Sequence, residues 1–224
     1  MLSDTPTPAF APELAAQIKQ CGIIAVLVID DADNAVQLAK TLLDNGVSAM
    51  ELTLRTPAAL AALRRIRKEV PQMIAGAGTV LSPAQVDEVY QAGAAFAVAP
   101  GLNRRVMERA RRLGLSFAPG IMTPSDIEAG IELGCRILKF FPAETTGGLK
   151  HLKAMAAPYE HLKLSFIPLG GITAQNMQSY VECPLVGAIG GSWIAKREAI
   201  AAKDWSTIGK NAAEASAIVS KFRG

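Results

Sequence analysis

The chain has 224 residues, of which 50% are hydrophobic, only 5% are aromatic and 19% are charged, and its formal net charge is +3. This length and apolar content indicate a folded protein with a sizeable core and exclude a disordered chain. The small positive excess does not support a nucleic-acid-binding function, which would need clustered basic residues.

The chain begins with a proline-rich stretch that has neither a basic start nor an apolar core, so we expect no signal peptide. A short helix is predicted from about Glu13 to Lys19, where it closes one end of the fold. The longest apolar runs have about nine residues, roughly half of what a membrane-spanning helix needs, so no membrane association is expected. Three widely spaced cysteines are typical of reduced thiols, and we expect a cytoplasmic protein.

One pattern recurs along the chain: a helical stretch ends in glycine, and an apolar, β-rich run follows at once. Glycine suits this place because the residue after the last helical turn tends to be left-handed. These glycines are Gly46, Gly93, Gly114 and Gly134. Helix starts are marked by a hydroxyl residue followed by proline, at Thr56, Ser82 and Thr123. Ser82 also has Gln85 at the spacing of a capping box.

Eight extended apolar runs are predicted in chain order, at residues 22–28, 48–54, 73–79, 95–100, 115–120, 136–141, 164–169 and 186–190. Nearly continuous apolar sequence is typical of strands that are covered on both faces. Eight βα units in a chain of this size predict an α/β fold of the (β/α)8 TIM-barrel type, with an open doubly wound sheet as the alternative. No linker or composition break divides residues 1–224, which we expect to form a single domain with a short N-terminal helix.

Lys139 is the most informative residue of the sixth predicted strand. It lies in the sequence ILKFFP, between apolar residues that should be buried on both faces. Burial disfavours a charged lysine, and the neutral amine is a nucleophile towards ketones, as in Schiff-base enzymes. A lysine in a purely structural ion pair is the alternative interpretation.

The second predicted strand adds polar residues to the same end of the barrel, where active sites of this fold lie. Because side chains alternate along a strand, Glu51, Thr53 and Arg55 are expected to point the same way. Arg55, nearest the mouth, can bind a substrate carboxylate in bidentate fashion, and Glu51 can transfer protons beside Lys139. The alternative is a buried ionic network that only stabilises the barrel.

Glycines follow the last two predicted strands, as Gly170–Gly171 and as Gly190–Gly191 with Ser192 next. Phosphate sites in this fold are often built there, from backbone N–H groups and a helix N-terminus, although tight turns also need such glycines. No nucleotide-binding motif is present, and the two histidines lack metal-ligand spacing. We therefore expect no cofactor and no metal.

Taken together, these segments resemble the class I 2-keto-3-deoxy-6-phosphogluconate (KDPG) aldolases, which also act on 4-hydroxy-2-oxoglutarate (KHG). The matching blocks within residues 22–193 are GIIAVLV, GVSAMELTLRT, GAGTVL, FAVAPG, PGIMTPSD, LKFFPAE, PLGGI and GGSW. The resemblance implies a lyase of the Entner–Doudoroff pathway that forms pyruvate from a phosphorylated keto-deoxy sugar acid. It also implies a homotrimer without a metal.

The resemblance implies a role for each candidate site residue. Lys139 would be the Schiff-base lysine and Glu51 the acid/base group. The residues implied to bind substrate are Arg55 and Thr79 at the carboxylate, Pro100 and Phe141 against the pyruvyl part, and Gly170, Gly171, Gly191 and Ser192 at the phosphate.

One position departs from the family pattern. Leu169 stands before Gly170 where some members carry threonine, so the preference between KDPG and its galactonate-derived epimer stays open. Two other function classes are alternatives: a phosphosugar epimerase or isomerase, which needs a different acid/base pair, and a non-catalytic phosphosugar-binding barrel. A non-catalytic binding barrel would give Lys139 and Glu51 no function.

Overall fold

The computed structural model describes residues 9–223, so expectations for the proline-rich residues 1–8 lie outside it. Over the described residues the chain alternates strands and helices. The strands are β1 (Ile23–Leu27), β2 (Ala49–Thr53), β3 (Ile74–Gly78), β4 (Phe96–Val98), β5 (Ser116–Ala118), β6 (Gly120–Ile121), β7 (Ile137–Phe140), β8 (Ser165–Pro168) and β9 (Ile189–Gly191). The helices are α1 (Pro12–Cys21), α2 (Ala35–Asp44), α3 (Ala59–Glu69), α4 (Pro83–Gln91), α5 (Arg104–Leu113), α6 (Pro124–Glu132), α7 (Gly148–Ala156), α8 (Met177–Val181), α9 (Arg197–Ala201) and α10 (Trp205–Arg223).

The strands form two parallel sheets. One has six strands in the order β5-β4-β3-β2-β1-β9, and the other has three in the order β6-β7-β8. Only Pro119 separates β5 from β6 along the chain, and a β-bridge joins Phe166 of β8 to Val186, just before β9. The fold is therefore of the α/β class, with parallel strands joined by helical crossovers.

Each predicted extended run overlaps a strand, but the fifth run is divided at Pro119. Proline has no N–H to donate to a ladder, and the chain changes sheets here: β5 pairs with β4, and β6 pairs with β7. The carbonyl of Pro119 still accepts the N–H of Lys139 at 2.9 Å. The last strand also starts later than predicted, because Val186 makes only an isolated bridge.

The predicted helix stops are confirmed, since all four glycines have a left-handed φ of between +68° and +84°. The caps at Ser82 and Thr123 are confirmed as well, and each forms a full capping box, with Gln85 and Asp126 respectively. The predicted cap at Thr56 is wrong. Its hydroxyl donates to the carbonyl of Ile29 instead, and α3 begins three residues later without a side-chain cap.

Two apolar clusters divide the core. The larger one fills the space between strands and helices, and the smaller one lies on the other face of the strands, with Ala49, Phe96 and Ile167 among its members. Phe10 and Ile18 complete this inner cluster. Helix α1 therefore covers the amino ends of the strands, and the two buried charged residues within residues 9–223, Glu51 and Lys139, lie further along β2 and β7.

None of the helices within residues 9–223 combines the length and hydropathy that crossing a bilayer requires.

Candidate functional site

A lysine and a glutamate meet on the inner face of the sheets. Lys139 is on β7 and Glu51 on β2, and Lys139 Nζ lies 3.3 Å from Glu51 Oε1. The two side chains are only 6% and 3% exposed. Removing one partner of such a buried pair would leave an uncompensated charge, at a cost of about 3–5 kcal/mol. The spacing also permits a proton to pass between amine and carboxylate.

Gly78 makes room for the Glu51 carboxylate. A Cβ atom built on Gly78 would lie 1.8 Å from Glu51 Oε1 and 2.5 Å from its Cδ. Gly78 lies near the end of the third predicted run, at residues 73–79, and is not among the predicted site residues. The available signal was a glycine inside an apolar strand, which often marks a close approach of another group.

Phe141 lies beside the amine of Lys139. The centre of its ring is 5.5 Å from Lys139 Nζ, within the range of a cation–π contact, and the side chain is half-buried. The ring therefore supplies an apolar wall next to the amine.

Thr53 and Arg55 do not join the buried pair. The Thr53 hydroxyl donates to the carbonyl of Leu27 at 3.0 Å and so links β2 to the adjacent strand β1. Arg55 is exposed, because β2 ends at Thr53 and strand alternation does not extend to residue 55. No carboxylate in the described part of the chain lies within 4.0 Å of its guanidinium. Arg55 is thus an exposed cation rather than a member of a buried network.

Thr79 and Pro100 follow the ends of β3 and β4. Thr79 is half-buried and has a φ of +60°, which is rare for a β-branched residue and costs about 1–3 kcal/mol. Pro100 is exposed, and the backbone of Gly120 approaches it closely.

The first predicted phosphate loop carries unpaired backbone donors, whereas Gly191 of the second is the last residue of β9 and pairs with Ala25 of β1. Gly170 and Gly171 have φ values of +95° and +83°, and the N–H groups of Gly170, Gly171 and Ile172 donate to no acceptor within residues 9–223. Ser192 is exposed after β9. The helices that follow, α8 and α9, have only five residues each and start further along the chain. The donors here are loop N–H groups and not helix N-termini, which differs from the expectation.

Leu169 packs between the two glycine loops. Its side chain is 5% exposed, and a Cβ atom built on Gly190 would lie 2.1 Å from Leu169 Cγ. The position that departs from the family pattern therefore presents an apolar surface that fits against a glycine.

Within the described ranges, no three His, Cys, Asp or Glu side chains lie close enough together to hold a metal ion. His151 instead contacts the carbonyl of Met122, with its Nε2 at 3.1 Å, and stacks on Phe140. Burial raises the pKa of the Cys135 thiol to about 12, so this cysteine is not a reactive thiolate.

A cavity of about 840 Å³ lies at the other, amino end of the strands. Gln17, Ser48, Arg67 and Arg223 are among the residues that line it, and none of the candidate site residues does. The clustering of buried ionisable groups locates the site better than cavity volume does.

Comparison with known proteins shows the family of the chain. Residues 14–211 match the aldolase family described as KDPG and KHG aldolase. The KHG/KDPG aldolase of Escherichia coli K12 is 43% identical over 193 residues, which cover 86% of this chain and 90% of that protein. The 2-dehydro-3-deoxy-phosphogluconate aldolase of Dickeya dadantii is 43% identical over 202 residues, which cover 90% and 94%.

A solved structure extends the similarity to three dimensions. It is the crystal structure of KDPG aldolase from Legionella pneumophila with pyruvate captured at low pH as a covalent carbinolamine intermediate. The match has a TM-score of 0.84 at 35% identity and covers 89% of this chain and 96% of that chain.

Proposed function

Because the chain belongs to the KDPG and KHG aldolase family, we propose that it cleaves KDPG into pyruvate and glyceraldehyde 3-phosphate as a Schiff-base aldolase of the Entner–Doudoroff pathway. It is a carbon–carbon lyase, and KHG, with the same α-keto acid head, is its second substrate and yields pyruvate and glyoxylate. The observation that carries the proposal is the buried pair of Lys139 and Glu51, with 3.3 Å between amine and carboxylate.

In this mechanism Lys139 is the nucleophile. The lysine first gives a proton to Glu51, and the free amine attacks the C2 ketone to form a carbinolamine. Loss of water, with Glu51 protonating the departing hydroxyl, yields an iminium. The iminium draws the electrons of the C3–C4 bond as Glu51, again a carboxylate, takes the proton of the C4 hydroxyl, so the aldehyde leaves and an enamine remains. Protonation at C3 and addition of water then release pyruvate and restore the amine.

The surrounding residues bind and orient the substrate. We assign the substrate carboxylate to Arg55, which is exposed at the end of β2 and has donors available for a bidentate contact. Thr79 assists it, and Pro100 and Phe141 pack against the pyruvyl part. A fixed carboxylate holds C2 within reach of the amine, which contributes through orientation.

We assign the phosphate to the two glycine loops. Gly170 and Gly171 offer backbone N–H groups, Ser192 offers a hydroxyl, and Gly191 places Ser192 at the end of β9. Phosphate oxygens are acceptors that such donors bind well. Leu169 lies between these loops, and turnover of KDPG and of its galactonate-derived epimer, measured side by side, determines the epimer preference.

We further propose a closed (β/α)8 barrel as a single domain, a homotrimer and a cytoplasmic location. Continuity of β5 with β6 and the bridge between Phe166 and Val186 support the closure. The trimer follows from the family resemblance and is tested by light scattering on the purified protein.

Borohydride reduction in the presence of pyruvate tests the function. We expect a carboxyethyl adduct on the peptide that contains Lys139, while the peptides of the other lysines serve as internal controls. Lys139→Arg should give neither adduct nor pyruvate release from KDPG. A wild-type protein without an adduct at Lys139, or full activity of the variant, would refute the Schiff-base assignment.

A further inference from the structure

The loop after β7 is bonded to the loop after β8. The N–H of Ala143 donates to the carbonyl of Leu169 at 2.7 Å, and the N–H of Glu144 donates to the carbonyl of Gly170 at 3.0 Å. Glu144 is thereby held next to the glycine loop to which the phosphate was assigned.

The side chain of Glu144 lies across Gly171. A Cβ atom built on Gly171 would be 2.6 Å from Glu144 Cβ and 2.9 Å from its Cγ. The carboxylate accepts a hydrogen bond from the hydroxyl of Tyr180, a side chain of α8 that is 1% exposed. Gly148 leaves space for this contact, since a Cβ atom there would be 2.9 Å from Glu144 Oε1 and 3.1 Å from the Tyr180 hydroxyl.

The same loop is held from its other side by Asn176. Its amide Nδ2 donates to the carbonyl of Gly171 at 3.1 Å, and its Oδ1 accepts the N–H of Thr173 at 2.8 Å. The carbonyl groups of Gly170 and Gly171 are thus engaged, whereas their N–H groups have no acceptor in the described part of the chain.

We propose that Glu144, anchored by Tyr180, is a positioning residue that holds the N–H groups of Gly170 and Gly171 in place for the substrate phosphate. The inference rests on the proposed function. Two successive left-handed glycines have many accessible conformations, and a hydrogen bond to phosphate requires close alignment. Burial and the Glu144 carboxylate both raise the pKa of Tyr180. The phenol therefore stays protonated and keeps donating its hydrogen bond to Glu144.

The test compares a reaction that involves phosphate with one that does not. Cleavage of KDPG uses the phosphate loop, whereas exchange of the pyruvate methyl protons with D2O uses Lys139, the acid/base group and the pyruvyl-binding residues but not the phosphate loop. For Glu144→Ala we expect the KM for KDPG to rise about tenfold with little change in kcat, because a misplaced donor loses one charge-assisted hydrogen bond. Pyruvate exchange should change less than twofold.

Three further variants make the test specific. Glu144→Gln keeps the side-chain length and an acceptor for Tyr180, and it should restore the KM to near the wild-type value. Tyr180→Phe, which removes only the donor, should raise the KM about threefold, and it carries the test if Glu144→Ala does not fold. Glu182→Ala is the matched control and should leave the KM unchanged, because Glu182 is an exposed carboxylate directly after α8 whose side chain contacts Gln178.

The outcomes separate the inference from the function on which it rests. An unchanged KM for KDPG in both Glu144→Ala and Tyr180→Phe overturns the positioning role, as does an equal loss in cleavage and in pyruvate exchange. A wild-type protein that does not cleave KDPG overturns the proposed function itself, whatever the variants do.

Discussion

Replacing Gly78 with alanine adds a single carbon atom beside the Glu51 carboxylate. The new Cβ would lie 1.8 Å from Oε1, while real Cβ contacts are essentially never shorter than 3.0 Å, so the carboxylate must retreat by more than an ångström. Glu51 is 3% exposed and has little space into which it can move without leaving Lys139. A displacement of about 1 Å costs roughly 100-fold in rate, and general acid/base catalysis as a whole contributes about 10²–10⁴-fold. We therefore expect kcat for KDPG cleavage to fall about 100-fold.

The assay is pyruvate release from KDPG, measured together with thermal unfolding. Gly78 does not have a left-handed φ, so alanine is compatible with the backbone and the variant should fold. Crowding should lower its free energy of unfolding by about 1–3 kcal/mol. Gly101→Ala is the matched control. Gly101 follows the end of the neighbouring strand β4, and a Cβ atom there has no neighbour within 4 Å. This control should retain both activity and stability.

A double variant tests whether Gly78 acts through Glu51. Once Glu51→Ala has removed the carboxylate, adding Gly78→Ala should not lower kcat further. A Gly78→Ala protein with wild-type kcat, or a double variant much slower than Glu51→Ala, would show that the reasoning from the close contact is incorrect.

Two predictions concern stability. Gly190→Ala should lower the free energy of unfolding, measured in urea, by about 1–3 kcal/mol, because its Cβ would lie 2.1 Å from Leu169 Cγ. Combined with Leu169→Ala it should cost less than the sum of the two single changes, and simple additivity would contradict the proposed packing. Arg197 lowers the pKa of Asp30, so this ion pair stabilises the protein above the unfolded-state pKa of about 3.9 and loses its effect below it, as the pH falls through the lowered folded-state pKa. The stability gap between wild type and Asp30→Asn should therefore narrow from pH 6 to pH 3, and a constant gap would contradict this.

Most element positions could be predicted because their determinants are local. Glycine after the last helical turn and a hydroxyl before the first one act within a few residues, and the stops and the caps at Ser82 and Thr123 are confirmed. Where a long-range partner competes, the local argument fails. Thr56 donates to the carbonyl of Ile29, which is 27 residues away in the chain.

The encounter of Lys139 with Glu51 could also be anticipated. Apolar flanks and strand alternation place each residue on a strand, and parallel strands bring their carboxyl ends to one edge. The same alternation was misleading for Arg55, because β2 ends at Thr53 and the chain turns before it reaches the arginine.

By itself, the sequence determined the order of strands and helices, the apolar faces, and the lysine, glutamate and arginine on which the proposed chemistry depends. The tertiary structure alone decided that Gly78 makes room for Glu51, that Leu169 packs against Gly190, and that Tyr180 binds Glu144 across 36 positions of chain. The physical reason is the distance along the chain over which each kind of interaction acts. Helix caps and strand alternation depend on neighbours along the chain, whereas contacts between strand-end loops depend on the register in which separate βα units assemble.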